Sequence, residues 1–273
     1  MTIGIGLLCT DGLVLATDTK YTQGDFKSHG PKLFPIINRP DLAVVIAGAG
    51  NVPFMRRAID KLEVALSQLQ NPSTEDVRMA TENVLLEFFN QRIYPRPDWW
   101  HVAFELILGV WTERDGFILL SSNEVNVGVP MPKHATGPCC IGFGQHVSEY
   151  ALGLTFQTAL NVEHAKFVAA FAIKAAKDHV ASCGGQTRIY AIRKMVSGCH
   201  IETIRRKEIS EIETHSRQIY QSLGVVLGVL EKIRPDEDET VGIAINAVKE
   251  AILEFRAKRR DYRERVRKIR ERA

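Results

Sequence analysis

The first eighteen residues constrain the fold most, because they predict a tight β-hairpin at the start of the chain. Apolar residues alternate with smaller ones from residue 3 to 8, Asp11-Gly12 has the composition of a two-residue turn, and a second apolar run covers 13–17. In a hairpin with a tight turn, the end of the second strand lies beside the start of the first. The sequence therefore predicts that Asp18 lies beside Thr2.

Thr2 has the position and the chemistry of a nucleophile. It follows Met1 and is a small residue of the kind that allows removal of the initiator methionine. The processed chain would begin with a threonine whose hydroxyl is activated by its own α-amine, a base with a pKa of about 8. An ordinary processed N-terminus is the commoner meaning of Met-Thr, so the dipeptide alone does not establish catalysis.

Composition limits the class of protein. The 273 residues are 45% hydrophobic, enough to bury one sizeable core, and length alone allows one large domain or two small ones. The five cysteines have no regular spacing, and the N-terminus has neither the basic lead nor the long apolar core of a secretory signal; both features favour a reducing cytoplasm. No apolar run approaches the roughly 18 residues of a membrane span.

The order of the remaining predicted elements gives the fold class. A polar segment, 19–31, is predicted to be a loop. The predicted strands are 33–37, 42–47, 104–111, 117–121, 125–129, 187–192 and 200–204, and the predicted helices are 52–69, 77–90, 145–160 and 162–181. Strands, helices, strands, helices and strands in that order predict an α+β fold of four layers, an αββα sandwich, over 1–205, followed by a helical extension over 206–273.

Several motifs together resemble the β-subunits of the proteasome and of its bacterial two-ring relative, which are N-terminal nucleophile hydrolases. The motifs are Thr2, Asp11-Gly12, Ala16-Thr17-Asp18-Thr19-Lys20, Gly24, Lys32-Leu33 and Ala47-Gly48-Ala49. The resemblance is dense over the first fifty residues, fades through the middle of the chain and returns near residues 178–185. The spacing from Thr2 to Asp18 matches that of the family.

The resemblance implies a catalytic set and a mechanism. Thr2 would attack a peptide carbonyl and form an acyl-enzyme, and its α-amine would accept and return the proton. The Gly48 N–H would stabilise the oxyanion. Lys32 would lie beside the Thr2 hydroxyl, held there and kept protonated by Asp18. Tyr21, Phe34 and Ile46 would form the walls of a mostly apolar substrate pocket.

The chain departs from the family at two supporting positions. Phe143 stands between two glycines where the family has a serine, and phenylalanine donates no hydrogen bond to an α-amine. The family's Asp-x-x-Ser-Gly-Gly element corresponds to Asp178 and Ser182, with one extra residue, and either Ser182 or Cys183 could take the serine's place.

The resemblance also implies the partners. A peptide or unfolded protein would be the substrate, the chain would assemble as a homo-oligomeric ring, and an ATPase unfoldase or another protein could deliver the substrate. No metal is expected, because the eight histidines are scattered and the cysteines lack a paired Cys-x-x-Cys spacing. No cofactor is expected either, and the lack of a long apolar run gives no support to a membrane partner.

Alternative functions stay open. One is a proteasome-related scaffold that has lost activity, for which Phe143 is the best argument. Another is a ligase or transpeptidase that passes the acyl group to an amine, or an amidase that hydrolyses a small amide. A thiol–imidazole pair of Cys183 and His179 is less favoured, because Gly184-Gly185 breaks the helix that would align the two side chains.

The C-terminal extension is predicted to hold two helices, over 207–233 and 241–272. The stretch 256–272 contains ten basic and three acidic residues. A solvated helix or a contact with an acidic partner is favoured over nucleic-acid binding, because Tyr262 is the one aromatic residue of this stretch.

Overall fold

Two five-stranded antiparallel sheets form the centre of the computed structural model, which describes residues 2–23, 26–97, 104–122, 131–132, 137–156, 160–195 and 198–214. The strands are β1 Gly4–Cys9, β2 Gly12–Thr17, β3 Lys20–Gln23, β4 Phe26–His29, β5 Leu33–Asn38, β6 Leu42–Gly50, β7 Phe104–Thr112, β8 Gly116–Ser122, β9 Met131–Pro132, β10 Cys139–Ile141, β11 Arg188–Met195 and β12 Gly198–Thr203. The first sheet has the order β10-β1-β2-β11-β12, and the second has the order β5-β6-β7-β8-β9.

Helices cover the outer face of each sheet. They are α1 Val52–Ser67, α2 Thr74–Phe88, α3 Gln145–Thr155 and α4 Val162–His179; a π-helical turn, Phe89–Ile93, follows α2, and residues 206–214 are also helical. The helices α1 and α2 pack on the second sheet, and α4 packs on the first. Side chains cap two of these helices: Ser73 forms a capping box with Asp76 at the start of α2, and Asn161 caps α4.

One apolar core lies between the sheets and another lies under the helices of the second sheet. Leu13 and Leu15 of the first sheet pack against Leu33, Val45 and Ile107 of the second. On the opposite face of the second sheet, apolar residues of α1 and α2 close a separate cluster. The predicted α+β fold of four layers, αββα, is confirmed.

The N-terminal hairpin forms as predicted, with its turn displaced by one residue. Gly4 pairs with Thr17 and Cys9 pairs with Gly12, so the two turn residues are Thr10 and Asp11 rather than Asp11 and Gly12. Gly12 is instead the first residue of β2. A Cβ at Gly12 would lie 2.3 Å from the Ile192 carbonyl oxygen, so close strand packing rather than turn geometry requires glycine at this position.

The prediction of a loop over 19–31 is wrong. β3 and β4 pair there as a separate two-stranded ribbon, with Lys20 opposite His29 and Tyr21 opposite Ser28. At the base of the ribbon, the Lys20 ammonium donates to the Ala181 carbonyl at 2.6 Å. Composition alone does not reveal a contact with a segment so distant along the chain.

The chain divides into two compact units, Met1–Ile209 and Ser210–Ala273. The boundary predicted between residues 205 and 206 stays a prediction. Residues 215–273, which include most of the predicted C-terminal helices and the whole basic stretch, lie outside the described residues, as do the predicted strand 125–129 and Gly24. None of the described helices combines the length and the apolar character of a membrane-spanning helix.

Candidate active site

The hairpin places Asp18 against the backbone at the start of the chain. The Asp18 N–H donates to the Ile3 carbonyl at 3.3 Å, and the Ile3 N–H donates to Asp18 Oδ1 at 3.3 Å. Thr2 precedes this pair, and its carbonyl accepts the Gly144 N–H at 3.2 Å. Thr2 is only 1% exposed in the chain that still carries Met1. The structure therefore brings Thr2 and Asp18 together at one end of the first sheet.

Lys32 reaches the same place from the start of β5. Its ammonium lies 2.7 Å from Asp18 Oδ1, and both side chains are 0% exposed. The ammonium also donates to the Lys20 carbonyl and lies 4.8 Å from the centre of the Tyr21 ring. Burial lowers the pKa of Lys32 from its ordinary value, and the Asp18 carboxylate opposes this shift.

The Asp18 carboxylate is held from three sides. Lys32 and the Ile3 N–H contact Oδ1, and the Gly184 N–H donates to Oδ2 at 2.9 Å. A carboxylate that accepts backbone N–H groups and faces a buried ammonium has little freedom to rotate. This arrangement fixes the direction in which the Lys32 ammonium points.

Gly48 lies opposite Lys32 on the neighbouring strand. Its N–H donates to the Lys32 carbonyl at 2.9 Å. Lys32 precedes Leu33 and Gly48 follows Ala47, and Leu33 and Ala47 are paired across β5 and β6. A Cβ at Gly48 would lie 2.4 Å from the sulfur of Met55 in α1, which gives a packing reason for glycine here. The N–H predicted to stabilise an oxyanion is thus already engaged with the backbone at the start of β5.

The turn that carries Phe143 contacts Thr2 through its backbone. Gly142 has a φ of 87°, and a Cβ at this residue would lie 2.4 Å from the Thr2 carbonyl oxygen. Gly144 supplies the N–H that binds the same oxygen, while Phe143 is 66% exposed. The two glycines support Thr2, and the phenylalanine side chain takes no part in this support.

The two predicted supporting residues, Asp178 and Ser182, have different surroundings. The Asp178 carboxylate pairs with Lys174 on the partly exposed surface of α4. The Ser182 hydroxyl is buried with no hydrogen-bond partner among the described residues, and its carbonyl accepts the Thr22 hydroxyl at 3.4 Å. Of these two, only Ser182 belongs to the loop that reaches Asp18.

Cys183 lies closer to the site than its place in the sequence indicates. A Cβ at Gly144 would lie 2.8 Å from its sulfur and 3.0 Å from the Ile3 Cβ, so the thiol packs beside the start of the chain. Burial, followed by the nearby Asp18 charge, raises the pKa of Cys183 to about 11. His179 is exposed at the end of α4, whereas Cys183 is buried, which disfavours a thiol–imidazole pair.

The predicted pocket residues share one side of the site. Phe34 pairs with Ile46 across β5 and β6, and the two lie on the same face as Lys32 and Gly48. Ile46 is fully buried in the core under α1, while Phe34 is half-buried and lies 5.3 Å from the Arg56 guanidinium. The half-buried Tyr21 ring covers the Lys32 ammonium. Phe34 and Tyr21 are thus partly exposed at the surface, whereas Ile46 is buried.

A separate cavity of about 590 Å³ adjoins the site on its other side. Its lining includes Thr19, His29, Leu33, Arg188 and Tyr190. Thr19 and Leu33 are the sequence neighbours of Asp18 and Lys32. Among the residues that the structure describes, no cluster of His, Cys, Asp or Glu has the arrangement of a metal site.

Sequence comparison finds relatives that are proteasome β-subunits. The chain is 27% identical over 220 residues to a proteasome subunit beta of Methanosphaera stadtmanae, covering 78% of this chain and 94% of that protein. It is 32% identical over 90 residues to a proteasome subunit beta of Archaeoglobus fulgidus, which is 31% of this chain and 41% of that protein. No protein-family model matches the chain.

Structure comparison finds Anbu, the ancestral beta-subunit. Anbu from Yersinia bercovieri has a TM-score of 0.67 at 14% identity, with 86% of this chain and 99% of that chain covered. The helical assembly of the Anbu complex from Pseudomonas aeruginosa gives 0.68 at 16% identity, with coverages of 86% and 98%. At these identities the likeness shows the fold. The chain is therefore a proteasome-family relative with the fold of Anbu, and the resemblance to proteasome β-subunits that its N-terminal motifs indicate is confirmed.

Proposed function

We propose that the chain is a threonine peptidase that hydrolyses peptide bonds through an acyl-enzyme on Thr2, after removal of Met1. The observation that carries this proposal is the fully buried ion pair of Lys32 and Asp18 beside Thr2. Removing two charges from water costs several kcal/mol per ion, and apolar residues at such positions are often equally stable or more stable. A buried pair beside the start of the chain is thus better explained by chemistry than by stability.

The proposed reaction uses the Thr2 hydroxyl and the α-amine together. The hydroxyl oxygen attacks the peptide carbonyl, and its proton passes to the amine, directly or through a water molecule. The amine returns the proton to the leaving nitrogen as the C–N bond breaks, which leaves an ester on Thr2. Water then attacks the ester and releases the carboxylic acid. Lys32 lowers the free energy of the negative charge that develops near the Thr2 oxygen.

Gly48 is the proposed oxyanion donor. Its N–H donates to the Lys32 carbonyl at 2.9 Å, so a substrate oxygen would share that N–H in a three-centre bond. The apolar preference assigned to the pocket rests on Phe34 and Tyr21, whose side chains are half-buried.

Removal of Met1 is required for two reasons. In the chain that carries Met1, the nitrogen of Thr2 belongs to a peptide bond and has no proton-accepting lone pair. The Thr2 residue is also 1% exposed there, too little for a substrate carbonyl to reach its hydroxyl. Processing would release the amine.

Assembly and location are part of the proposal. The solved Pseudomonas aeruginosa protein is a helical assembly of Anbu, and the relatives in sequence are proteasome subunits. We therefore expect this chain to form a homo-oligomer. A ring is the form that the resemblance of the sequence motifs implies. A peptide or unfolded-protein substrate, an ATPase partner and a cytoplasmic location are proposed on the resemblance alone.

The inactive scaffold stays the second candidate, favoured by the exposed Phe143 in place of the serine. Turnover of a set of apolar fluorogenic peptides separates the two. We expect turnover by the wild-type chain, retention of part of it in Thr2→Ser, and loss of at least about 10³-fold in Thr2→Ala. Equal turnover by wild type and Thr2→Ala would contradict the peptidase. Adding a competing amine distinguishes the transpeptidase, which would give a ligated product in the mass spectrum.

A further inference from the structure

Glu105 is a carboxylate on an otherwise apolar strand face. It is the second residue of β7. Every second residue after it points into the core between the sheets; these are Ile107, Gly109 and Trp111. Glu105 lies directly opposite Ala49 on β6, and directly opposed residues point to the same side of a sheet. A half-buried charge at the end of this layer costs free energy unless it is paired or hydrogen-bonded.

The Glu105 carboxylate contacts the turn that supports Thr2. Its Oε2 accepts the Gly142 N–H. The Cβ position of Gly142 lies 2.4 Å from the Thr2 carbonyl oxygen and 3.2 Å from the Ala49 Cβ. Gly144, two residues on, donates its N–H to the same Thr2 oxygen. Glu105 and Thr2 therefore both contact one glycine.

This contact lies one residue before Phe143, the position at which the resembling family has a serine. Phe143 is exposed and its side chain cannot orient an amine. The proposed reaction nevertheless needs a group that orients the Thr2 amine and stabilises it when it holds the proton. A carboxylate performs both tasks more strongly than a hydroxyl, because its hydrogen bond to an ammonium is charge-assisted.

We propose that Glu105 is a positioning residue of the Thr2 site: it holds the turn 142–144 against Thr2 and, in the processed chain, stabilises the protonated α-amine in place of the missing serine. This inference rests on the proposed function, because it requires the amine that removal of Met1 releases.

The ionisable groups near Thr2 have defined contacts. Asp18 binds the Lys32 ammonium and two backbone N–H groups, and the Lys20 ammonium donates to the Ala181 carbonyl. The Cys183 thiol is neutral at pH 7, since burial raises its pKa to about 11. Glu105 is a second carboxylate at this end of the sandwich, and it binds the turn that contacts Thr2.

The test measures the pKa of the Thr2 α-amine from the pH dependence of its acylation rate, read by mass spectrometry of the N-terminal peptide. A carboxylate stabilises the ammonium, so Glu105→Gln is expected to lower this pKa by about one unit and to move the acid limb of peptide turnover to lower pH by the same amount. Glu105→Asp keeps the charge and is expected to restore the pKa. Glu63→Gln removes the same charge from an exposed position on α1 and is expected to leave the pKa unchanged.

The outcomes separate the two proposals. A processed chain whose amine pKa is unchanged in folded Glu105→Gln overturns the role of Glu105; Glu105→Ser is a second neutral variant, with the same expected shift, if the glutamine variant does not fold. If Met1 is removed and the amine pKa is lower in Glu105→Gln than in wild type, but the wild-type chain does not turn over peptides, the peptidase is overturned and the role of Glu105 is kept. Met1 retained in every chain overturns both.

Discussion

Replacing Lys32 by methionine is expected to lower the free energy of unfolding by about 3 to 5 kcal/mol and to reduce peptide turnover by about 10³-fold. The first effect arises because the Asp18 carboxylate, 0% exposed, loses the ammonium that lies 2.7 Å away. The second arises because the charge on the Thr2 oxygen in the transition state loses its stabilising cation. Urea denaturation measures the first effect, and fluorogenic peptide turnover measures the second.

A double variant separates stability from catalysis. In Asp18→Asn with Lys32→Met, neither charge of the pair remains, and the asparagine oxygen still accepts one of the N–H groups of Ile3 and Gly184. We expect the double variant to recover most of the lost stability but none of the turnover. A double variant as unstable as the single one, or substantial turnover in Lys32→Met, would contradict the role assigned to the pair.

Gly142→Ala is expected to reduce both stability and turnover by displacing Thr2. The φ of 87° costs a residue with a Cβ about 1 to 2 kcal/mol, and the new methyl group would lie 2.4 Å from the Thr2 carbonyl oxygen. Together these effects are expected to cost at least about 2 kcal/mol. A displacement of Thr2 by about 1 Å is expected to reduce turnover by about 10²-fold.

Gly116→Ala is the matched control. Gly116 has a φ of 90°, almost the same as Gly142, but nothing lies within 4 Å of its Cβ position at the turn between β7 and β8. The control therefore carries the backbone strain without the contact to Thr2. We expect it to lose about 1 to 2 kcal/mol and to retain full turnover of the folded fraction. If the two variants lose turnover equally, the contact between Gly142 and Thr2 has no catalytic role.

The parts of the site that sequence can predict are those set by local geometry. A hairpin with a tight turn brings its ends together whatever its surroundings, so Asp18 beside Thr2 follows from strand alternation even though the predicted turn lies one residue late. Lys32 is assigned by resemblance, because its approach to Asp18 depends on the path of the chain between them. That path includes the ribbon of β3 and β4, which composition predicts to be a loop.

Contacts between distant segments cannot be predicted from one sequence. Glu105 and Gly142 are 37 residues apart and meet only because β7 and the turn before α3 come together at the same edge of the sandwich. A lone glutamate in an apolar strand is a weak signal, because such residues also occur in strands that have no catalytic role. The same limit applies to Asp178: the motif predicts it near the site, but its carboxylate is paired with Lys174 one helical turn away.

The proposed chemistry depends on the N-terminus of the native protein, and intact mass spectrometry of the purified chain tests it most directly. We expect the mass of the chain without Met1 and, after incubation with an electrophile directed at N-terminal threonine, one added probe on Thr2. The adduct should be absent in Thr2→Ala. Met1 retained in protein that hydrolyses peptides, or labelling undiminished in Thr2→Ala, would contradict the mechanism.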